Sequence, residues 1–203
     1  MEKKLTRKKQ ALNTKKNIYE AAITLVQEKG FENVSIEDIT TRANTAKGTF
    51  YLYFKSKQDL IYHTIDMYDE ISFRSYEKVK DLPTFEQQLV QYLCYANEEI
   101  LLIGEKILNA LIGLNLTQER KFVIAEGRTV LEVLGKIVEK GLETGELSIE
   151  HSAEYYMEMI IIFMQGLDYY WCNAENGFDY VEATRREALV FAKGLTAVYG
   201  NME

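Results

Sequence analysis

The chain has 203 residues, 47% hydrophobic and 27% charged, with one proline, two cysteines and a formal net charge of -7. That balance is ordinary for a soluble globular protein, and no apolar run approaches the roughly 20 residues that cross a bilayer; the best candidate, Met159 to Met164, is flanked by Glu158 and Gln165. Cys94 and Cys172 offer neither a disulfide framework nor metal-ligand spacing, and no apolar segment of a secretory signal follows the basic N-terminus, so a cytoplasmic protein without metal or cofactor is expected.

The charge is unevenly spread. Residues 1–60 hold 12 Lys/Arg against 7 Asp/Glu, and residues 61–203 hold 12 against 24. A basic head on an acidic body suits a localised polyanion-binding surface. A solvated basic tail would give the same count, since Lys3, Lys4, Arg7, Lys8 and Lys9 supply much of the excess.

In chain order, residues 1–12 are polar and basic and read as a flexible arm. A helix is predicted from Thr14, with Ile18, Ala21, Ala22, Leu25 and Val26 on one face and Gly30 at its end. Ser35 with Asp38 starts the next helix, whose buried stripe is Ile36, Ile39 and Ala43. Asn44 falls where a tight turn needs a residue tolerant of positive φ. A short helix follows over about Ala46 to Tyr53, and Ser56 with Asp59 starts another, predicted to run from about Lys57 to Val79. Thr84 with Gln87 restarts the chain near Pro83, and a helix or helix pair continues through Ile100 to Leu114. Further helices are predicted over about Gln118 to Glu143, closed by Gly145, then Ser152 to Cys172 and Tyr180 to Tyr199, with Asn176–Gly177 as the last turn. No period-2 strand is evident. The expected fold is all-α, with about nine helices: a three-helix head over 13–60 and a larger helical body over 61–203.

Ser35 to Phe54 places two short helices about a tight turn, after a third helix with an apolar face. That is the layout of a helix-turn-helix, whose second helix enters the major groove. Ala46, Lys47, Gly48 and Thr49 are small or cationic and suit close approach to a groove. Thr45, Thr49, Tyr51 and Tyr53 offer hydroxyls, and Lys47 and Lys57 offer charge, to phosphates or base edges.

The run from Tyr19 to Leu60 resembles the N-terminal signature of the tetracycline-repressor (TetR) family. Ala22, Gly30-Phe31, Ser35-Ile36, Ile39, Ala43, Lys47-Gly48, Phe50-Tyr51, Tyr53-Phe54, Ser56-Lys57 and Leu60 carry the likeness. It implies that Thr45, Ala46, Lys47, Gly48 and Thr49 form the DNA-facing start of the recognition helix. It also implies that Tyr51 and Tyr53 contact backbone or bases, that Lys57 holds a phosphate, and that Ser35 caps its helix near another. Two positions depart from the pattern. Asn44 stands where Gly is usual, and Thr40-Thr41 where a small Ala is common.

The body is rich in aromatic residues and methionine, many at helical spacing. Core packing explains such a stripe as well as a ligand cavity does. Tyr68, Tyr92, Tyr95, Phe122, Tyr156, Met159 and Phe163 are the candidates to line a cavity, which the resemblance implies, for an apolar or aromatic effector. Glu98, Glu99, Glu158 and Asp168 lie among them as possible counter-charges or as a solvated acidic face. The last two helices carry apolar residues on more than one face and call for a second burial site. Here the resemblance implies a homodimer, and Ile161, Met164, Leu189, Ala192 and Leu195 are the interface candidates. The implied function is a ligand-responsive, DNA-binding transcriptional regulator, most often a repressor, acting on double-stranded DNA with no membrane partner. The predicted Lys57–Val79 helix would link head to body. His63 and His151 stand apart, and neither a phosphate loop nor a nucleophile elbow is present, which argues against an enzyme. A helical interaction protein without DNA binding is the other competitor.

Overall fold

The structure, a computed structural model, describes residues 2–117, 125–174 and 177–200, with side chains from residue 9 onward. Among the described residues there are ten α-helices, one 3-10 turn and no strand. In chain order these are α1 (Glu2–Lys29), the 3-10 turn (Phe31–Asn33), α2 (Ile36–Arg42), α3 (Lys47–Tyr53), α4 (Lys57–Tyr62) and α5 (Ile65–Glu77). They continue with α6 (Phe85–Ile103), α7 (Glu105–Thr117), α8 (Thr129–Thr144), α9 (Ala153–Asn173) and α10 (Tyr180–Tyr199). The chain divides into two compact units: Met1–Ile65 with Gly104–Thr117, and Asp66–Ile103 with Gln118–Glu203.

In the first unit α1 starts at Glu2, well ahead of Thr14. Residues 2–12 are mostly Glu, Lys, Arg, Leu, Gln and Ala, which favour helix without needing a buried face; apolar periodicity marks only where burial begins. Gly30 ends α1 at φ 82°, where a Cβ would be strained. Ser35 and Asp38 form a reciprocal capping box, with Asp38 N donating to Ser35 Oγ at 3.0 Å and Ser35 N donating to Asp38 Oδ2 at 2.9 Å. Asn44 takes φ 49°, the turn conformation expected of it. Thr40 is buried, and its hydroxyl donates back to the Glu37 carbonyl at 3.2 Å, so its extra polar atom is satisfied within α2. α1 packs on α2, α3 and α7, and α4 packs on α7. Ile18, Ala22, Leu25, Ile39, Phe50, Phe54, Leu60, Ile61 and Ile107 form the core.

The stretch read as one helix from Lys57 to Val79 is two. α4 ends at Tyr62 and α5 begins at Ile65. Thr64 causes the break locally, with its N–H and its hydroxyl both turned onto the Ile61 carbonyl at 2.9 and 2.6 Å.

In the second unit α6 packs on α10 and α8, and α8 packs on α9. Phe85, Leu89, Leu93, Leu134, Ile137, Tyr156, Ile160 and Ala188 lie at its centre. The packing is tight at Gly141, where a Cβ would sit 2.8 Å from Leu147 Cδ1 and 3.0 Å from Phe85 Cβ. α6 is capped twice: Thr84 Oγ1 accepts from Gln87 N at 3.2 Å, and the Glu146 carboxylate accepts from Phe85 N and Glu86 N. Asp69 of α5 accepts from Arg128 Nε at 2.8 Å and from Thr129 N at 3.2 Å, tying α5 to the start of α8. Gly145 closes α8 at φ 74°. Gln118, the expected start of that helix, and Asn176 of the expected Asn176–Gly177 turn lie outside the described residues.

Candidate nucleic-acid interface

α3 has the sequence KGTFYLY and two unlike faces. Phe50 is fully buried, 5.8 Å from the ring of Phe54 and edge-on to Tyr51 at 5.3 Å. Lys15 of α1 places its ammonium 5.5 Å from the Phe54 ring. On the opposite side Gly48, Tyr51 and Leu52 face solvent. The Gly48 Cβ position meets nothing within 4 Å. None of the residues expected to meet DNA is buried: Ser35, Ala46, Lys47, Gly48 and Tyr51 are exposed, and Thr45, Thr49, Tyr53 and Lys57 are half-buried. All nine lie on α2, α3, α4 or at their immediate starts.

Two cations are engaged. Lys47 donates to the Glu37 carboxylate of α2, which holds the Glu37 carboxyl below its ordinary range and the Lys47 ammonium above its own. Lys57 donates to the Phe31 carbonyl at 2.7 Å and lies 4.3 Å from the Phe31 ring centroid. It therefore fastens α4 to the 3-10 turn, and two of its three ammonium protons remain for an anion. The Ser35 hydroxyl serves its own capping box. Sequence reasoning passed over Leu52 and Glu37. Leu52 was legible in outline: it lies about 200° around the helix from Phe50, so burying Phe50 turns it outward. No local signal links Glu37 to Lys47 across the turn.

The second unit's candidates fall differently. Tyr92 and Tyr156 are fully buried, and both phenols are satisfied, by Ser72 Oγ at 2.6 Å and by the Ser148 carbonyl at 2.9 Å. Burial pushes the Tyr92 phenol up to about 12. Tyr68, Tyr95, Met159 and Phe163 are half-buried, Tyr95 beneath the Lys78 ammonium at 4.7 Å and Phe163 stacked on Phe191 at 4.5 Å. Phe122 lies outside the described residues. Ala192 and Leu195 sit in the unit's own core at 0% and 3% exposure, Ile161 and Met164 pack on its edge, and Leu189 is exposed. Asp168 accepts from the Tyr180 hydroxyl, and burial pushes its carboxyl up to about 6. Glu98 and Glu158 are exposed, and Glu99 pairs with Arg74. Among the described residues no group of three or more His, Cys, Asp or Glu could hold a metal ion, and no single helix is long and apolar enough to cross a membrane.

A capped pair of short helices about a positive-φ turn, with the second helix displaying an open face, defines a helix-turn-helix DNA-binding protein. The model of the tetR family of bacterial regulatory proteins matches residues 18–63. The chain is 44% identical over 66 residues to the uncharacterized HTH-type transcriptional regulator YvdT of Bacillus subtilis (strain 168), a match over 29% of this chain and 34% of that protein. It is 24% identical over 183 residues to the fatty acid metabolism regulator protein of the same organism, covering 88% of this chain and 93% of that one. The fold is similar to that of the transcriptional regulator FadR from Bacillus subtilis in complex with stearoyl-CoA, with a TM-score of 0.69, 23% identity and coverage of 88% and 97%. A transcriptional regulator of Aquifex aeolicus VF5 gives 0.62 at 26% identity over 92% and 99%. Residues 18–63 are thus similar to the N-terminal segment of the tetR family of bacterial regulatory proteins, and the fold of the whole chain is similar to that of bacterial transcriptional regulators.

Proposed function

We propose that the chain is a ligand-responsive transcriptional repressor that binds a near-palindromic operator as a homodimer and leaves it when a small molecule enters the helical body. The observation that carries this reading is the open face of α3, set on a core that Phe50 and Phe54 complete from the other side. Lys47, Lys57 and the hydroxyls of Ser35, Thr45, Thr49, Tyr51 and Tyr53 would meet phosphates and base edges, with Ala46 and Gly48 allowing close approach.

A dimer is supported by α9 and α10. Ile162 and Tyr169 on α9, and Val190 and Val198 on α10, are at least 60% exposed. Gly166 and Gly194 lie on the same faces, and their Cβ positions meet nothing within 4 Å. An apolar face with small residues suits close packing against a second copy, and two-fold symmetry would set two α3 helices about 34 Å apart, one turn of duplex. The effector is read as apolar or aromatic. Long-chain acyl-CoA is the first compound to test, because a similar fold is known in complex with stearoyl-CoA. Half-buried Tyr68, Tyr95, Met159 and Phe163 could meet it without opening the core; Tyr92 and Tyr156 could not. Such a ligand acts only by binding the DNA-incompetent conformation more tightly. A cytoplasmic location without a membrane partner goes with this role.

Fluorescence anisotropy with a duplex from upstream of the protein's own gene, over a salt series, tests the reading. Sequence-preferring binding that falls steeply with salt is expected, with release on adding stearoyl-CoA. Absence of any preference, there and in selection from a random duplex library, would overturn it.

A further inference from the structure

α3 is poor in the side chains that read bases by hydrogen bonds. Of the residues that make paired contacts to guanine or adenine (Arg, Lys, Asn and Gln), KGTFYLY contains only Lys47. Its one cation, Lys47, is held by Glu37. The exposed face instead offers Leu52 at 80% exposure, Tyr51 at 51%, and Gly48 one turn before Leu52. A single exposed leucine is ordinary on a protein surface, but Gly48 makes this one informative. Glycine within a helix costs about 1 kcal/mol relative to alanine, and a Cβ at Gly48 would meet nothing within 4 Å. No atom of the protein fills the position of the missing side chain, which leaves the surface open to close approach from outside on the same face as Leu52.

In the major groove thymine is marked by its C5-methyl group, which apolar side chains contact. We propose that Leu52, beside Tyr51 and with Gly48 admitting the groove edge, packs on thymine methyl groups, so that each half-site of the operator carries a T·A pair at a fixed position under α3. This rests on the DNA-binding reading above and adds a further element of what the helix recognises: a thymine methyl group, beside the contacts of Lys47 and the hydroxyls.

The test uses the full chain. An operator is selected from a random duplex library, and each of its thymines is then replaced singly by deoxyuridine, which lacks only the methyl. The native protein should lose about three- to fivefold in affinity at one position per half-site, the factor expected for one buried methyl. Leu52→Ala should bind the thymine duplex more weakly by a similar factor and show no loss on uracil substitution, and Leu52→Met should restore the sensitivity. At 80% exposure Leu52 can be changed without unfolding the chain, and thermal melts of the variants check this. A selected operator that is indifferent to uracil, or equally sensitive with Leu52→Ala, would overturn the role of Leu52 and leave the DNA-binding reading standing. Failure to select any sequence would bring down both.

Discussion

The aromatic residues of α3 and the core tyrosines of the second unit are used in opposite ways. In the first unit, one seven-residue helix buries Phe50 completely and turns Tyr51 and Leu52 to solvent, so the face read as DNA-binding is separate from the residues that hold the fold. In the second, Tyr92, Tyr156 and Tyr180 are all buried, and each phenol is tied into the core by Ser72, the Ser148 carbonyl or Asp168. There polar chemistry and packing are the same atoms. The exposed face of α3 can therefore vary at little cost in stability, whereas Tyr92, Tyr156 and Tyr180 cannot change without changing the core of the second unit.

The largest expected effect tests that separation directly. Phe50→Ala should cost about 3–5 kcal/mol, the range for emptying a buried aromatic site, while Leu52→Ala two positions on should change urea-unfolding stability by less than about 0.5 kcal/mol. Similar losses for the two would mean that the exposed face also holds the fold.

Next comes the half-buried carboxyl of Asp168 in the second unit. Asp168 is raised to about 6 in the folded chain, above its value of about 3.9 when unfolded. The native state thus binds the proton more tightly between those values, and stability attributable to this group falls as pH rises through 6. Asp168→Asn can still accept from Tyr180, so it should match the native protein near pH 4 and exceed it by roughly 2–3 kcal/mol at pH 8. Parallel stability curves would show that Asp168 is not held in a protonated state.

Gly141→Ala should follow. The gain in helix propensity is outweighed by the clash with Leu147 and the Phe85 Cβ, for a net loss of about 1–2 kcal/mol in a thermal melt. A stabilised variant would show that the second core is looser than its contacts imply.

The smallest effect belongs to the surface of the first unit. Glu37→Gln frees Lys47 from its partner and removes a negative charge beside α3. DNA affinity should rise a few-fold at low salt and converge with the native value at high salt. Unchanged affinity would place Lys47 outside the DNA contact.

Much of the first unit was legible because its signals are local. The Ser35 capping box, the αL residue Asn44 and the Gly30 stop each depend on neighbours within a few positions, and together they set two helices about a turn. The candidates of the second unit were not legible in the same way. Periodicity showed that Tyr156, Met159, Ile160 and Phe163 share a face of α9, but a shared face does not say what covers it. Ala192 and Leu195, expected at a subunit interface, cover their own core, while Ile162, Val190 and Val198 stay exposed. The break at Thr64 also escaped periodicity, since the apolar spacing continues through it.

By itself the sequence determined the all-helical class, the ends of most helices and the helix-turn-helix, because caps, turn residues and apolar spacing act over one or two turns of chain. Tertiary structure alone decided that Lys47 pairs with Glu37, that Lys57 fastens to Phe31, that Leu52 stands open, and that Asp168 accepts from the Tyr180 hydroxyl. Each of these depends on which helix faces which, and that follows from the packing of whole faces, a property that no short stretch of sequence carries.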